Sequence, residues 1–381
     1  MSEQYATDVF TTWTEKEIRQ QPDCWMQSLA TIDARRQEID AFLSPVLALP
    51  DVKIVLTGAG TSAFIGDMIA PWLASQSGHN IVAIPTTDLV TNPMDYLRAD
   101  QPTLLVSFAR SGNSPESVAA VDLVDQCVEN SFHLAITCNE GGSLYQNAQS
   151  CDNALALLMP EETHDRGFAM TSSITTMMAS CLAVFAPETI NRTTFADVAQ
   201  RCQQIIASQG DFSGAVFGDL PYQRVVYLGC GGLQGTARES ALKVLELTAG
   251  KLAAFYETPT GFRHGPKSLI DKQTLIVMFI SAHPYTRQYD LDLLNELQRD
   301  GEAMRVIAIT ADPIAAQDTI TLPPARTFTD VEQAFCFLMY AQIFALTQSI
   351  KAGITPDTPS VNGTVNRVVQ GVIIHPWQDQ E

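Results

Sequence analysis

At 381 residues the chain is longer than one hydrophobic core usually supports, and a 46% hydrophobic content is enough to fill two, so two domains are expected. Its 23 Lys and Arg stand against 42 Asp and Glu, a formal net charge of −19, which opposes nonspecific nucleic-acid binding and attraction to an anionic membrane, since both need a basic face. An anionic ligand has to be held locally, by oriented N–H and hydroxyl groups.

The first twenty residues, MSEQYATDVFTTWTEKEIRQ, lack a basic start followed by an apolar core, so no secretory signal is expected, and no apolar run is long enough to span a bilayer. Eight cysteines at positions 24, 127, 138, 151, 181, 202, 230 and 336 form no CxxC pair and no metal-type Cys/His spacing. They read as reduced, packed thiols of a cytoplasmic protein without a structural zinc or redox site. Thr14 and Glu17 fit a capping box, and after Pro22 the stretch 23–43 carries Trp25, Leu29, Ile32 and Ile39 at helical spacing. Residues 1–45 are therefore expected to form a helical packing arm.

The first domain, assigned to residues 46–209, opens on KIVLT and a glycine turn at Gly58. The sequence from Gly58 to Ala63 lacks the third glycine of a dinucleotide fingerprint, and no acid ends a second strand about twenty residues on, which disfavours a nicotinamide cofactor. Thr61 and Ser62 place hydroxyls at the sheet edge instead. Further on, Thr103 to Phe108 is a short apolar run of the kind buried on both faces of a parallel sheet. Ser111, Gly112, Asn113 and Ser114 follow it, with Ser114 suited to cap a helix, Pro115 to its first position and Glu116 to its first turn. The first N–H groups of that helix lack intrahelical partners, and an anion there gains hydrogen bonds plus a dipole term of about 0.3–1 kcal/mol. The same residues also make an ordinary strand-to-helix turn, so this segment alone leaves both readings open.

The chain then repeats itself. Gly58 and Gly229 end matching strands 171 residues apart, TLLVSF at Thr103 recurs as TLIVMF at Thr274 with the same offset, and AIT at Ala135 recurs at Ala308, 173 residues on. Each half thus reads as strands alternating with helices. Gly210 to Gln223 concentrates Gly, Pro, Asp and Ser and marks the boundary; the second domain is assigned to 218–366 and a tail to 367–381. The second half continues past TLIVMF as ISAHPYTRQ, without SGNS, so one phosphate site per chain is expected. On the helical stretch Ala237 to Leu247, Glu239, Lys243 and Glu246 share a face, a pattern that fits a solvated charged stripe as well as a reactive cluster. His264, between Arg263 and Gly265-Pro266, sits in a loop context and by itself carries no role. After a last long helix, 330–351, Pro356, Pro359 and Gly363 read as a loop over a ligand or partner.

Taken in order, the glycine turn with Thr61-Ser62, the Ser111 to Ser114 loop, the Glu239 to Glu246 helix and His264-Gly265-Pro266 resemble the tandem sugar isomerase (SIS) domain family over both halves of the chain. TGAGTSAFIGD, HDRGFAMTSSITTMMASCLAVFAPETIN and PTGFRHGPKSL are similar to its amino-sugar-phosphate deaminase/isomerase branch. The resemblance implies an α/β fold of two tandem SIS domains, each a parallel sheet flanked by helices in a flavodoxin-like three-layer sandwich. It implies a cytoplasmic enzyme without cofactor that converts galactosamine 6-phosphate and water to tagatose 6-phosphate and ammonia. A homodimer or higher homo-oligomer with shared active sites is implied too.

By likeness to the isomerase half of glucosamine-6-phosphate synthase, Ser62, Ser111 and Ser114 hold the phosphate, with Thr61, Asn113 and Arg110 beside them, Arg110 lying where that enzyme has Gln. Glu246 then moves the proton between sugar carbons, His264 opens the ring and Lys243 accompanies them in the catalytic group. Glu239 and Arg367 are candidate substrate contacts, Arg367 taking the place of the family's tail lysine, for which it is not a chemical equivalent. An amino-sugar phosphate must open its ring, lose the C2 proton to give an enolamine, gain a proton at C1 and release ammonia on hydrolysis of the C2 imine; one base can carry that proton. Only about 45 residues precede the first expected strand, too few for a glutaminase domain, so ammonia release is the expected direction. Two alternatives stay open: a non-deaminating aldose/ketose isomerase of a hexose 6-phosphate would use the same acid and base, and a non-catalytic sugar-phosphate sensor would need the serine loop only.

Overall fold

The computed structural model describes residues 12–210, 212, 216–360, 363, 365–369 and 371–378. Its first sheet contains β1 (Lys53–Thr57), β2 (Asn80–Ala83), β3 (Thr103–Ala109), β4 (Ser131–Thr137) and β5 (Ala154–Leu158) in the order β2-β1-β3-β4-β5. Its second contains β6 (Arg224–Leu228), β7 (Ala253–Glu257), β8 (Thr274–Phe279), β9 (Arg305–Thr310) and β10 (Thr319–Thr321) in the order β7-β6-β8-β9-β10. All pairings are parallel, and the two orders are the same order. The repeat extends to register: Lys53 pairs with Thr103, and Arg224 with Thr274. Both TL(L/I)V(S/M)F runs are buried at every position, as apolar strands covered on two faces must be.

The helices that matter for the site are α1 (Trp13–Ala34), α2 (Arg36–Leu47), α3 (Thr61–Ser77), α4 (Pro115–Cys127), α5 (Ser172–Phe185), α6 (Arg192–Ser208), α7 (Gly232–Leu247) and α8 (Asp330–Lys351). Among the described residues none is long and apolar enough to cross a membrane. The N-terminal helices are present as expected, but α1 belongs to the core rather than its rim. Trp25 is fully buried, edge-on to Phe195 of α6 at 5.9 Å and to Phe335 of α8 at 5.0 Å. Pro22 does not begin a helix; α1 runs through it, and the Ile18 carbonyl that a proline cannot bond accepts instead from Gln21 Nε2 at 2.9 Å. The expected capping box is also displaced. Thr12 caps α1, accepting from the Glu15 N–H at 3.1 Å, while Thr14 and Glu17 have partners far along the chain, Asp357 and Gly167.

What joins the lobes is the crossing of α3 and α7, the first helix of each repeat. Both start from the same turn, with Gly60 and Gly231 each at φ 56°, a left-handed conformation that glycine adopts without strain. The crossing is too close for side chains at two points. A Cβ on Gly232 would stand 2.3 Å from the Met68 carbonyl oxygen, and one on Gly235 would stand 2.7 Å from the Met68 nitrogen. Backbone cannot yield as a side chain can. Gly235→Val is expected to destabilise the protein by about 1–3 kcal/mol, read as a lowered urea midpoint, and to impair activity by separating the lobes. An unchanged midpoint would show that the crossing has slack.

Candidate active site

In a sheet of this order the connections leaving β1 and β3 run to opposite faces, which opens a crevice at their carboxyl ends. A cavity of about 210 Å³ lies there. The Gly60–Ser62 turn and residues 108–111 form one side, Ser114 and Ser117 of the α4 start another, and Phe168 and Met170 a third. Glu246 enters from α7 of the other lobe, and tail residues 365–369 close the top. The tail thus lies over the cavity.

Ser62, Ser111 and Ser114, the expected phosphate ligands, all line this cavity. Ser114 is the N-cap of α4 by position, but its side chain makes no capping bond, so the helix does not engage its hydroxyl. Asn113 does not line the cavity; its Oδ1 accepts from Ser143 N at 2.9 Å and Ser143 Oγ at 3.0 Å. Thr61 lines the wall, yet its hydroxyl is already engaged by Lys243 Nζ at 3.0 Å.

Two guanidinium groups face the same space. Arg110, only 7% exposed, donates from Nη1 to Phe168 O at 3.1 Å and from Nη2 to Arg367 O at 2.7 Å. Arg367 donates from Nε to Gly167 O at 3.2 Å and from Nη2 to Asp165 O. Every one of these acceptors is a neutral carbonyl. Among the described residues neither guanidinium forms an ion pair, which for the buried Arg110 is costly unless an anion completes it, whereas Arg367 is exposed. Burial, and then the neighbouring Arg367 charge, push the Arg110 pKa down, with the Asp165 and Glu246 carboxylates only partly opposing, and an anion bound there would oppose the shift further.

The α7 cluster is no solvated stripe. Glu239 and Lys243 side chains are 0% exposed and Glu246 is 24% exposed, because this face of α7 is turned toward α3 rather than water. Lys243 Nζ bonds Thr61 Oγ1 and Glu246 Oε2 and stands 3.4 Å from Glu239 Oε1, an ion pair without directed hydrogen-bond geometry. Burial raises the Glu239 pKa to about 7 despite the opposing Lys243 charge. Burial works against the Lys243 ammonium too, but the Glu239 and Glu246 carboxylates outweigh it and raise its pKa. Glu239 and Lys243 lie behind the cavity wall, where they orient Glu246, the only one of the three that lines it. His264 is exposed in the turn after Phe262 and lines no part of the cavity of its own chain.

Sequence reasoning missed the segment that carries both arginines. Asp165 is fully buried, and its carboxylate accepts from Thr171 N (2.8 Å), Ser172 N (3.2 Å), Ser173 N (2.9 Å) and Ser173 Oγ (2.6 Å), capping α5 from six residues upstream. The signal was present in HDRGFAMTSS, an acid before a hydroxyl run and an apolar helix, but the spacing exceeds that of an ordinary N-cap.

The SIS domain profile matches residues 49–187 and 221–352, one span on each sheet. The chain belongs to the SIS domain family. D-galactosamine-6-phosphate deaminase AgaS of Escherichia coli is 72% identical over 96% of each chain. The protein of the same name from Shewanella sp. (strain ANA-3) is 41% identical over 99% of this chain and 95% of its own. A crystal structure described as tagatose-6-phosphate ketose/aldose isomerase from Escherichia coli matches with a TM-score of 0.93 at 69% identity, covering 97% of this chain and 98% of that one.

In this SIS fold, Lys243→Met removes the only cation between two carboxylates. It is expected to cost about 3–5 kcal/mol in urea unfolding, with part recovered in the Lys243→Met, Glu239→Gln double variant. No recovery would mean that Glu239 is not the burdened partner.

Proposed function

We propose that the chain is a galactosamine-6-phosphate deaminase/isomerase of amino-sugar catabolism, working in the cytoplasm as a homo-oligomer. The observation that carries this is the convergence on one cavity of four serines and two guanidiniums without an ion-pair partner from one end with the Glu246 carboxylate from the other. A sugar 6-phosphate has the same layout, a dianion at one end and the reacting carbons C1 and C2 at the other.

In this reading the phosphate docks among Ser62, Ser111 and Ser114, the first N–H groups of α3 and α4, and Arg110 with Arg367. Its binding energy fixes C1 and C2 beside Glu246, remote from the charge that does the holding. Glu246 takes the proton from C2 and returns it to C1; Lys243 holds its carboxylate in place. The C2 imine formed from the enolamine is then hydrolysed, releasing ammonia and tagatose 6-phosphate. His264 is the acid that opens the ring, and its distance from the cavity wall of its own chain supports delivery from a second copy. The names of the relatives at 72% and 41% identity support the galacto substrate and the deamination.

Three substrates offered separately test the assignment: galactosamine 6-phosphate, glucosamine 6-phosphate and tagatose 6-phosphate, with ammonium and sugar products measured. Ammonium from the first is expected. Sugar interconversion without ammonium would indicate a plain isomerase, and binding without turnover a sensor. Glu246→Gln is expected to bind substrate while turnover falls by about 10²–10⁴-fold. Mixing Glu246→Gln with His264→Ala chains is expected to restore part of the activity; none, despite verified subunit exchange, would count against a shared site.

A further inference from the structure

The segment 165–168 is gripped on both sides. Its carbonyls at Asp165, Gly167 and Phe168 receive the two cavity arginines. Its amides go the other way: Arg166 N donates to Glu17 Oε1 at 2.5 Å, and Gly167 N donates to the same oxygen at 3.1 Å. Glu17 lies on α1, outside both spans matched by the SIS domain. One turn earlier, α1 holds the base of the tail. Trp13 N, Thr14 N and Thr14 Oγ1 donate to Asp357 at 2.8, 2.9 and 2.7 Å. Gly167 leaves no slack at this junction, since a Cβ there would stand 2.8 Å from both Glu17 Oε2 and Thr14 Oγ1.

We infer that Glu17 is a positioning residue of the phosphate site, the buckle by which the N-terminal helix sets Arg110 and Arg367 against the ligand and keeps the tail over it. The inference rests on the reading of this cavity as a sugar-phosphate site. The contacts connect α1 to the ligand through one relay: Glu17 holds the Arg166 and Gly167 amides, the first of them in the same peptide as the Asp165 carbonyl, the Gly167 and Phe168 carbonyls follow directly along the held segment, and these three carbonyls aim the guanidiniums. Asp357 supplies the second tether, because the tail that brings Arg367 starts there.

The surroundings of Glu17 give the buckle a pH response. The carboxyl is buried and faced by Asp165 from the segment it grips and by Asp357 from the tail; the Arg166 guanidinium turns away, over the Trp13 ring at 4.5 Å. Burial, then Asp165, raise its pKa from 4.5 to about 8, the Gly167 and Arg166 N–H groups only partly opposing, and Asp357 adds to the rise. A raised carboxyl pKa in the closed arrangement means that closure is favoured by the proton, fully below the ordinary value and decreasingly as pH rises toward 8. Glutamine mimics the protonated form at every pH.

The test measures binding of galactitol 6-phosphate, an unreactive polyol without an amine that would itself titrate, by calorimetry at pH 7 and pH 9, with circular dichroism and melting as fold controls. Wild type is expected to bind more weakly at pH 9. Glu17→Ala is expected to weaken binding about tenfold or more at pH 7 and to raise KM for galactosamine 6-phosphate with kcat within about threefold. Glu17→Gln is expected to stay within about threefold of wild type at pH 7 and to lose most of the pH response. Asp357→Ala, which leaves the buried carboxyl in place, is expected to weaken binding in the same direction, and it carries the test with Glu17→Gln if Glu17→Ala fails to fold. Wild-type affinity in a folded Glu17→Ala or in Asp357→Ala, or a pH response in Glu17→Gln equal to that of wild type, would overturn the inference while leaving the cavity assignment intact. Failure of the wild-type protein to bind the polyol phosphate would overturn both.

Discussion

Lys243 Nζ is enclosed by groups from both lobes, Thr61 at the start of α3 and the carboxylates of Glu239 and Glu246 along α7. A fully buried ammonium is tolerable only when its charge is matched; Glu239 and Glu246 of its own helix supply the match, and the crossing of α3 and α7 at backbone distance, which Gly232 and Gly235 permit, brings Thr61 to the same ammonium. That single constraint ties the two sheets together and points a carboxylate from the second repeat into a crevice built by the first. Without it the chain would be two nucleotide-fold-like lobes with a hydroxyl loop on one and an acid on the other, too independent to act on a single small molecule.

The opposite end of the cavity obeys a different electrostatic rule. In a chain with a net charge of −19, two guanidiniums form no ion pair among the described residues and take carbonyls as their hydrogen-bond acceptors. Neutral acceptors fix geometry without spending the charge, so the positive potential remains for an incoming anion. The serine hydroxyls and helix starts extend the same logic, donors without counter-ions. Charge is thus separated within the cavity, positive at Arg110 and Arg367 and negative at Glu246.

Much of this was legible in sequence because the two repeats are strongly patterned. The runs TLLVSF and TLIVMF gave fully buried strands and a register offset of 171 that the sheets keep. The SGNS loop contributes Ser111 and Ser114 to the cavity wall. The α7 face was ambiguous, since Glu239, Lys243 and Glu246 at helical spacing look alike whether water or another helix lies opposite; only the glycine-lined crossing decides. At the N-terminus the run TTWTEKE offers two T-x-x-E registers, and the displaced one lost because Glu17 gains two amides from residues 166 and 167, a tertiary gain that local spacing does not encode. The role of the segment that receives the arginines was hidden for the same reason, since Arg367 reaches it from some two hundred residues away, while the Asp165 cap was missed because its spacing exceeds that of an ordinary N-cap.

The most direct measurement is a crystal structure of the protein with galactitol 6-phosphate bound. The account predicts the phosphate among Ser62, Ser111, Ser114 and the two arginines, with the C1 and C2 end of the polyol against the Glu246 carboxylate. A phosphate seated elsewhere, or a chain running away from Glu246 with the acid beyond a sugar's length in every copy of the assembly, would contradict it.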